Sequence, residues 1–179
     1  MTEKNLFFIK KLVYSAMFLA MALLLPFLTG QIQSFGAALC PMHIPVLLCG
    51  FICGPVYGAA VGAIAPLMRH AIFGMPLLWS AIPMAFELAA YGLCAGLLYK
   101  LLPKKNVYIY VTLISSMLAG RIIWGAVSFA LAGLRETSFS FAIFWASAFA
   151  GSIPGIILQI VLIPVIVMAL KRAKLTLCE

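Results

Sequence analysis

Apolar residues run along this chain in long blocks, separated by short polar or Gly-Pro interruptions. The block lengths are those of helices that cross a bilayer. The first block predicts a span over about 7–28, entered through Lys10 and Lys11. It closes on Leu-Pro-Phe-Leu-Thr-Gly, a poor small-x-small cleavage site, so it reads as an uncleaved first span rather than a signal peptide. The uncharged, semi-polar stretch from Thr29 to Met42 follows as a loop with room for a short interfacial helix. From His43 to Phe73 the chain is apolar, too long for one ordinary span and short for two. Gly54-Pro55 interrupts it and marks a turn or helix break, which predicts spans over about 44–54 and 56–73. The first of these need not cross the full hydrocarbon thickness. Short or broken helices in transporters often line a binding cavity, because irregular backbone is tolerated only where protein or water satisfies it. After a turn at Gly74-Met75-Pro76, a fourth span covers 77–102 and ends at Pro103 and Lys104-Lys105. A fifth covers 107–133, a polar loop holds Arg135 and Glu136, and a sixth covers 141–170 with a kink at Pro154.

Composition agrees with this pattern. Hydrophobic residues make up 65% of the 179 positions and charged residues 9%, against about a half and about a quarter in soluble domains. So little charge does not cover a water-soluble surface. The expected fold is a single all-α membrane domain of six transmembrane helices over 1–179. Six crossings leave no room for a nucleotide-binding domain, and no P-loop is present. If transport is ATP-driven, another chain supplies the energy.

The net charge of +8 is an orientation signal rather than a nucleic-acid signal. Lys4, Lys10, Lys11, Lys100, Lys104, Lys105, Lys171, Arg172 and Lys174 fall on one side of a six-span topology. The opposite loops hold only Arg135, beside Glu136. Both termini are therefore expected in the cytoplasm of a multi-pass protein of the bacterial plasma membrane; a five-span arrangement leaves one basic end outside. The five cysteines form no disulfide framework. Cys49 and Cys53 lie one helical turn apart, but no His or acidic partner completes a metal set, so neither metal nor cofactor is expected.

The residues costly to place in a membrane are the informative ones. A charge at a helix centre costs about 2.5–3.5 kcal/mol on insertion scales and usually faces an interior or a cavity. Glu87 lies about 15 Å into the fourth span and Arg121 about 18 Å down the fifth, at 1.5 Å per residue. At similar depth on antiparallel neighbours, they either form a structural ion pair or contact a polar ligand. Arg69, beside His70 near the outer end of the third span, either snorkels to the interface or lines the mouth of an outward cavity. His43, on the same side, is a satisfied interfacial group or a ligand contact. Trp124 follows Arg121 by three residues on one helix face, so together they offer a charge and a flat apolar surface. Trp79 and Trp145 fit an aromatic belt. Gln31, Gln33, Ser128, Ser152 and Gln159 add hydrogen-bonding capacity, as helix packing also requires. His43, Arg69, Glu87, Arg121, Trp124, Gln33 and Gln159 are the candidate substrate contacts. No nucleophile triad, acid pair or metal spacing is visible, which argues against an enzyme. Ala16 and Ala20, with Ser15 and Ala22 beside them, form a small-residue face on the first span. Such a face packs internally or receives a partner helix.

These features together resemble the substrate-binding S component of an energy-coupling-factor (ECF) vitamin transporter. The resemblance covers most of the chain. It rests on length, six spans, cytoplasmic ends, Phe51-Ile-Cys-Gly-Pro-Val-Tyr-Gly58, which is similar to the Phe-x-x-Gly-Pro-x-x-Gly of riboflavin-type members, and Ala16-x-x-x-Ala20. It implies a subunit that binds one vitamin or related micronutrient in an outward-facing pocket. That subunit then topples onto a shared transmembrane subunit carrying two ATPases. By position, Ala16 and Ala20 would make that contact, and the loop from Thr29 to Met42 would be the pocket lid. The lead into the second helix, Leu39-Cys-Pro-Met-His43-Ile-Pro, departs from the polar, acidic riboflavin-type sequence and argues against riboflavin. Two Arg and two His against one Glu lean positive, so a carboxylate-bearing vitamin is expected, with pantothenate the best single choice. The alternative is a solitary carrier or channel that needs no ATPase.

Overall fold

The computed structural model describes residues 3–29, 38–103, 105–134, 140–148, 150–173 and 176–177. Gln31, Gln33, most of the expected lid, and the loop with Arg135 and Glu136 lie outside the described residues. Among the described residues the protein is helical throughout, with no strand. The helices are α1 (Glu3–Leu24), α2 (His43–Cys53), α3 (Pro55–Phe73), α4 (Leu78–Leu101), α5 (Asn106–Leu134), α6 (Phe141–Ala148) and α7 (Ile153–Arg172). Five stretches are long and apolar enough to cross a membrane: Glu3–Phe27, Pro55–Phe73, Leu78–Leu101, Asn106–Leu134 and Phe141–Arg172. The outward surfaces of these helices carry large apolar residues, such as Phe8, Ile122, Phe129 and Val161, as lipid-facing surfaces do.

Prolines set several of the boundaries. α1 stops at Leu24, and a 3-10 turn over Leu25–Thr29 takes in Pro26. Gly54, at φ 100°, makes the corner between α2 and α3, and Pro55 opens α3, where its missing N–H costs nothing. The expected kink at Pro154 is instead a full interruption placed just ahead of it. The sixth apolar stretch is two helices, α6 and α7, with a 3-10 turn at Ala150–Ser152 between them. Pro154 lies in the first turn of α7, the one place in a helix where proline needs no hydrogen-bond partner.

The short helix α2 is the centre of the bundle. Its 11 residues rise about 16 Å, roughly half the hydrocarbon thickness, and every one of them is buried. It packs against α1, α3, α4 and α7. Helix α4 packs against α2, α3 and α5, and its contact with α3 is backbone-close. A Cβ on Gly92 would collide with the Gly58 backbone, and one on Gly62 with the carbonyl of Leu88. This is the close approach that small residues permit between membrane helices.

Aromatic and backbone contacts order the two ends of the bundle. Phe8 of α1 meets Tyr57 at the start of α3, with ring centroids 6.3 Å apart. At the same end Leu177 N–H donates to the Ile52 carbonyl (2.9 Å). Ile52 lies in the last turn of α2, where the helix breaks and its carbonyls lose their in-helix partners. The two ends of the described chain therefore lie together, beside the Gly54-Pro55 corner. At the opposite end Phe27 and Phe73 meet edge to face at 4.9 Å.

Candidate functional site

The site begins with a glycine. Gly120 on α5 lies under the ring of Tyr91 on α4, so close that a Cβ there would collide with the ring. This contact sets the rotation of α4 against α5. It turns Glu87, one turn before Tyr91, toward Arg121, the residue after Gly120. Arg121 Nη1 lies 3.0 Å from Glu87 Oε1, and both side chains are buried. The Tyr91 hydroxyl donates to the same Oε1 at 2.9 Å. His43, the first residue of α2, brings Nε2 to 3.6 Å from it. That is too long for a hydrogen bond. The His43 and Tyr91 rings lie 5.2 Å apart at 56°. Arg121 Nη2 points at Cys40 Sγ (3.8 Å), on a residue held at φ 47° just before α2.

An ion pair taken out of water is costly unless its remaining hydrogen-bonding capacity is met. Here it is not met. Among the described residues, His43 Nδ1 and Nε2, Arg121 Nε, and Gln159 Nε2 and Oε1 are buried without a hydrogen-bond partner. Gln159 is 1% exposed and belongs to the inward stripe of α7 with Gly155, Ile163 and Val167. Gly155 rests against the backbone of Ala38 and Leu39. Most buried polar groups in proteins are paired, so a group of unpaired ones has a functional explanation to find.

Trp124, one turn from Arg121, is half-buried and stacks on Phe144 of α6, with centroids 6.2 Å apart at 30°. Beside it an apolar groove of about 410 Å³ is lined by Ile122, Gly125, Ala126, Phe129, Ser140, Phe141 and Phe144.

Arg69 is elsewhere. Its Nη1 donates to the Leu23 carbonyl (2.7 Å) in the last turn of α1. Its guanidinium lies 5.1 Å from the Phe27 ring and 5.4 Å from the Phe73 ring. His70 Nδ1 is 2.8 Å from the Pro76 carbonyl. Of the sequence candidates, then, the structure joins His43, Glu87 and Arg121, keeps Trp124 one turn from Arg121 on α5 and Gln159 on the adjoining α7, and sets Arg69 apart. Tyr91 and Cys40 were missed. Tyr91 carried a signal, four residues after Glu87 on the same helix face. Cys40 carried none, because its contact depends on an irregular turn.

The family model described as "ECF transporter, substrate-specific component" matches residues 10–167. The chain belongs to this family. No curated protein and no solved structure matches it. As an S component it is a membrane-embedded, substrate-binding subunit of an ECF importer for a vitamin-type micronutrient. It is a transporter subunit rather than an enzyme, and it works with ECF membrane and ATPase subunits. The small-residue face of this S component is open. Ala16 and Ala20 point out of the bundle, while Ser15, Phe18 and Ala22 point in.

Proposed function

We propose that this S component takes its substrate at the Glu87–Arg121–His43–Tyr91 cluster, with Gln159 contributing from α7 and Trp124 as an apolar wall. One observation carries the reading: buried His43 and Arg121 atoms without a hydrogen-bond partner stand beside a single ion pair in the interior of a membrane domain. Gln33, outside the described residues, adds a contact from the lid. Arg69 is left out, because its guanidinium is already engaged at the end of α1. In this reading Ala16 and Ala20 receive the ECF membrane subunit, and both termini are cytoplasmic in a bacterial plasma membrane.

The expectation of pantothenate rested on a surplus of positive charge. In the structure Glu87 balances Arg121, and Arg69 and His70 are bonded away from the cluster. The surplus that favoured a carboxylate is gone, so pantothenate is kept only as a compound to test.

Mass spectrometry of the small molecule that copurifies with the protein identifies the substrate, and titration of the stripped protein gives its Kd. Glu87→Gln and His43→Ala are each expected to weaken binding at least tenfold. A Glu87→Arg/Arg121→Glu double variant that binds normally would show the pair to be structural only and would sink this assignment.

A further inference from the structure

The atoms left unpaired in this cluster describe the group that would complete it, an argument that rests on the site proposed above. Arg121 is neutralised at 3.0 Å by Glu87, so the ion pair offers no net charge to a ligand. A carboxylate placed here would meet the Glu87 carboxylate as well as Arg121, a like-charge contact in a medium that screens poorly. The remaining capacity is of a different kind. Gln159 presents two donors on Nε2 and an acceptor on Oε1, and His43 presents two ring nitrogens. A carboxylate has no N–H, so it would leave Oε1 of Gln159 unmatched.

His43 opens α2, and Gln159 lies in the first half of α7. Gly155 lies on the backbone of Leu39, four residues before His43, and Gln159 lies four residues after Gly155. Helices α2 and α7, which carry them, are in contact. We infer that the substrate enters this end of the bundle with an uncharged, planar, amide-like group, an N–H beside a C=O as in a carboxamide, lactam or ureido ring, and that Gln159 is the residue that selects it. The group pairs both atoms of the Gln159 amide at once, and His43 supplies the next hydrogen bond.

The test uses the full-length protein in lipid nanodiscs with an equimolar mixture of nicotinamide, nicotinate, pantothenol, pantothenate, riboflavin and biotin. Bound species are read by native mass spectrometry, alongside any molecule released on denaturation. The expected bound compound carries the amide-like group, and Gln159→Leu weakens it at least tenfold while Gln159→Asn retains part of the affinity. The same Gln159→Leu protein is expected to melt no lower than the parent without ligand, since the change removes a buried amide that had no partner. A lower Tm would show Gln159 to be a structural residue. Preference for nicotinate over nicotinamide, or for pantothenate over pantothenol, overturns the inference. So does a bound compound indifferent to Gln159→Leu; if Glu87→Gln still abolishes that binding, the site itself stands. A protein that binds none of the mixture and releases nothing on denaturation overturns the site as well.

Discussion

In the proposed site the buried Glu87–Arg121 pair would tie stability to function. Neither ion is tolerable alone in a dry interior, so each is the other's condition for burial. Glu87→Ala leaves Arg121 uncompensated and is expected to lower stability by about 3–5 kcal/mol, read as a fall in Tm in detergent. Replacing both residues with Leu and Met, close in volume, is expected to restore much of that loss while leaving no polar site to bind substrate. Arg69 is the contrasting residue, an intramembrane cation with no acidic partner among the described residues. The Leu23 carbonyl, at the electronegative end of α1, and two phenyl faces take that place. Arg69→Gln is expected to cost about 1.5–3 kcal/mol, the range for a hydrogen bond to a charged group. An unchanged melting temperature would show that this clamp does no structural work.

Helices meet in this bundle where side chains are absent. Gly58 and Gly62 of α3 lie directly on the α4 backbone around Leu88 and Gly92, and Gly96 lies against Pro55. A side chain at Gly92 has no room, because the obstacle is backbone rather than a flexible tip. Gly92→Val is expected to separate α3 from α4 and to cost about 1–3 kcal/mol or more. The loss of monodisperse protein in size-exclusion chromatography would report it. Gly54 is a different case, since φ 100° is a region that L-residues rarely adopt. On α6 the attachment is lighter: its packing is against α5 and the 150–152 turn, with Phe144 over Gly125 and against Trp124.

At the scale of the whole molecule, the chain ends lie at one end of the bundle and the Arg69 clamp at the other. The basic residues are concentrated at the first end, so by the positive-inside rule that end is expected in the cytoplasm. Single cysteines introduced near residue 2 and near residue 176, in a background without reactive native thiols, are expected to resist a membrane-impermeant maleimide in intact cells and to react after permeabilisation. The outward face of α1 carries two small residues, Ala16 and Ala20, turned away from the bundle. Ala16→Leu/Ala20→Leu is expected to abolish uptake while substrate affinity stays within about twofold, because the face is far in rotation from the inward residues Ser15, Phe18 and Ala22. Uptake that survives the double substitution would remove α1 from the docking surface.

Hydropathy was enough to read the membrane class, though not the interruption at Ala150–Ser152 that divides the sixth apolar run. In lipid a chain segment must satisfy its own backbone, so an apolar run of sufficient length becomes a spanning helix almost regardless of its neighbours. The Gly54-Pro55 break and the common depth of Glu87 and Arg121 followed from the same one-dimensional arithmetic. What only the tertiary structure decided is rotation. Each helix is apolar around nearly its whole circumference, so no stripe in the sequence says which side faces the bundle. The glycine contacts at Gly62, Gly92 and Gly120 set that angle. They face Tyr91 and Glu87 toward Arg121, while the inward packing of Ser15, Phe18 and Ala22 leaves Ala16 and Ala20 outward, outcomes that close packing between distant residues alone can determine.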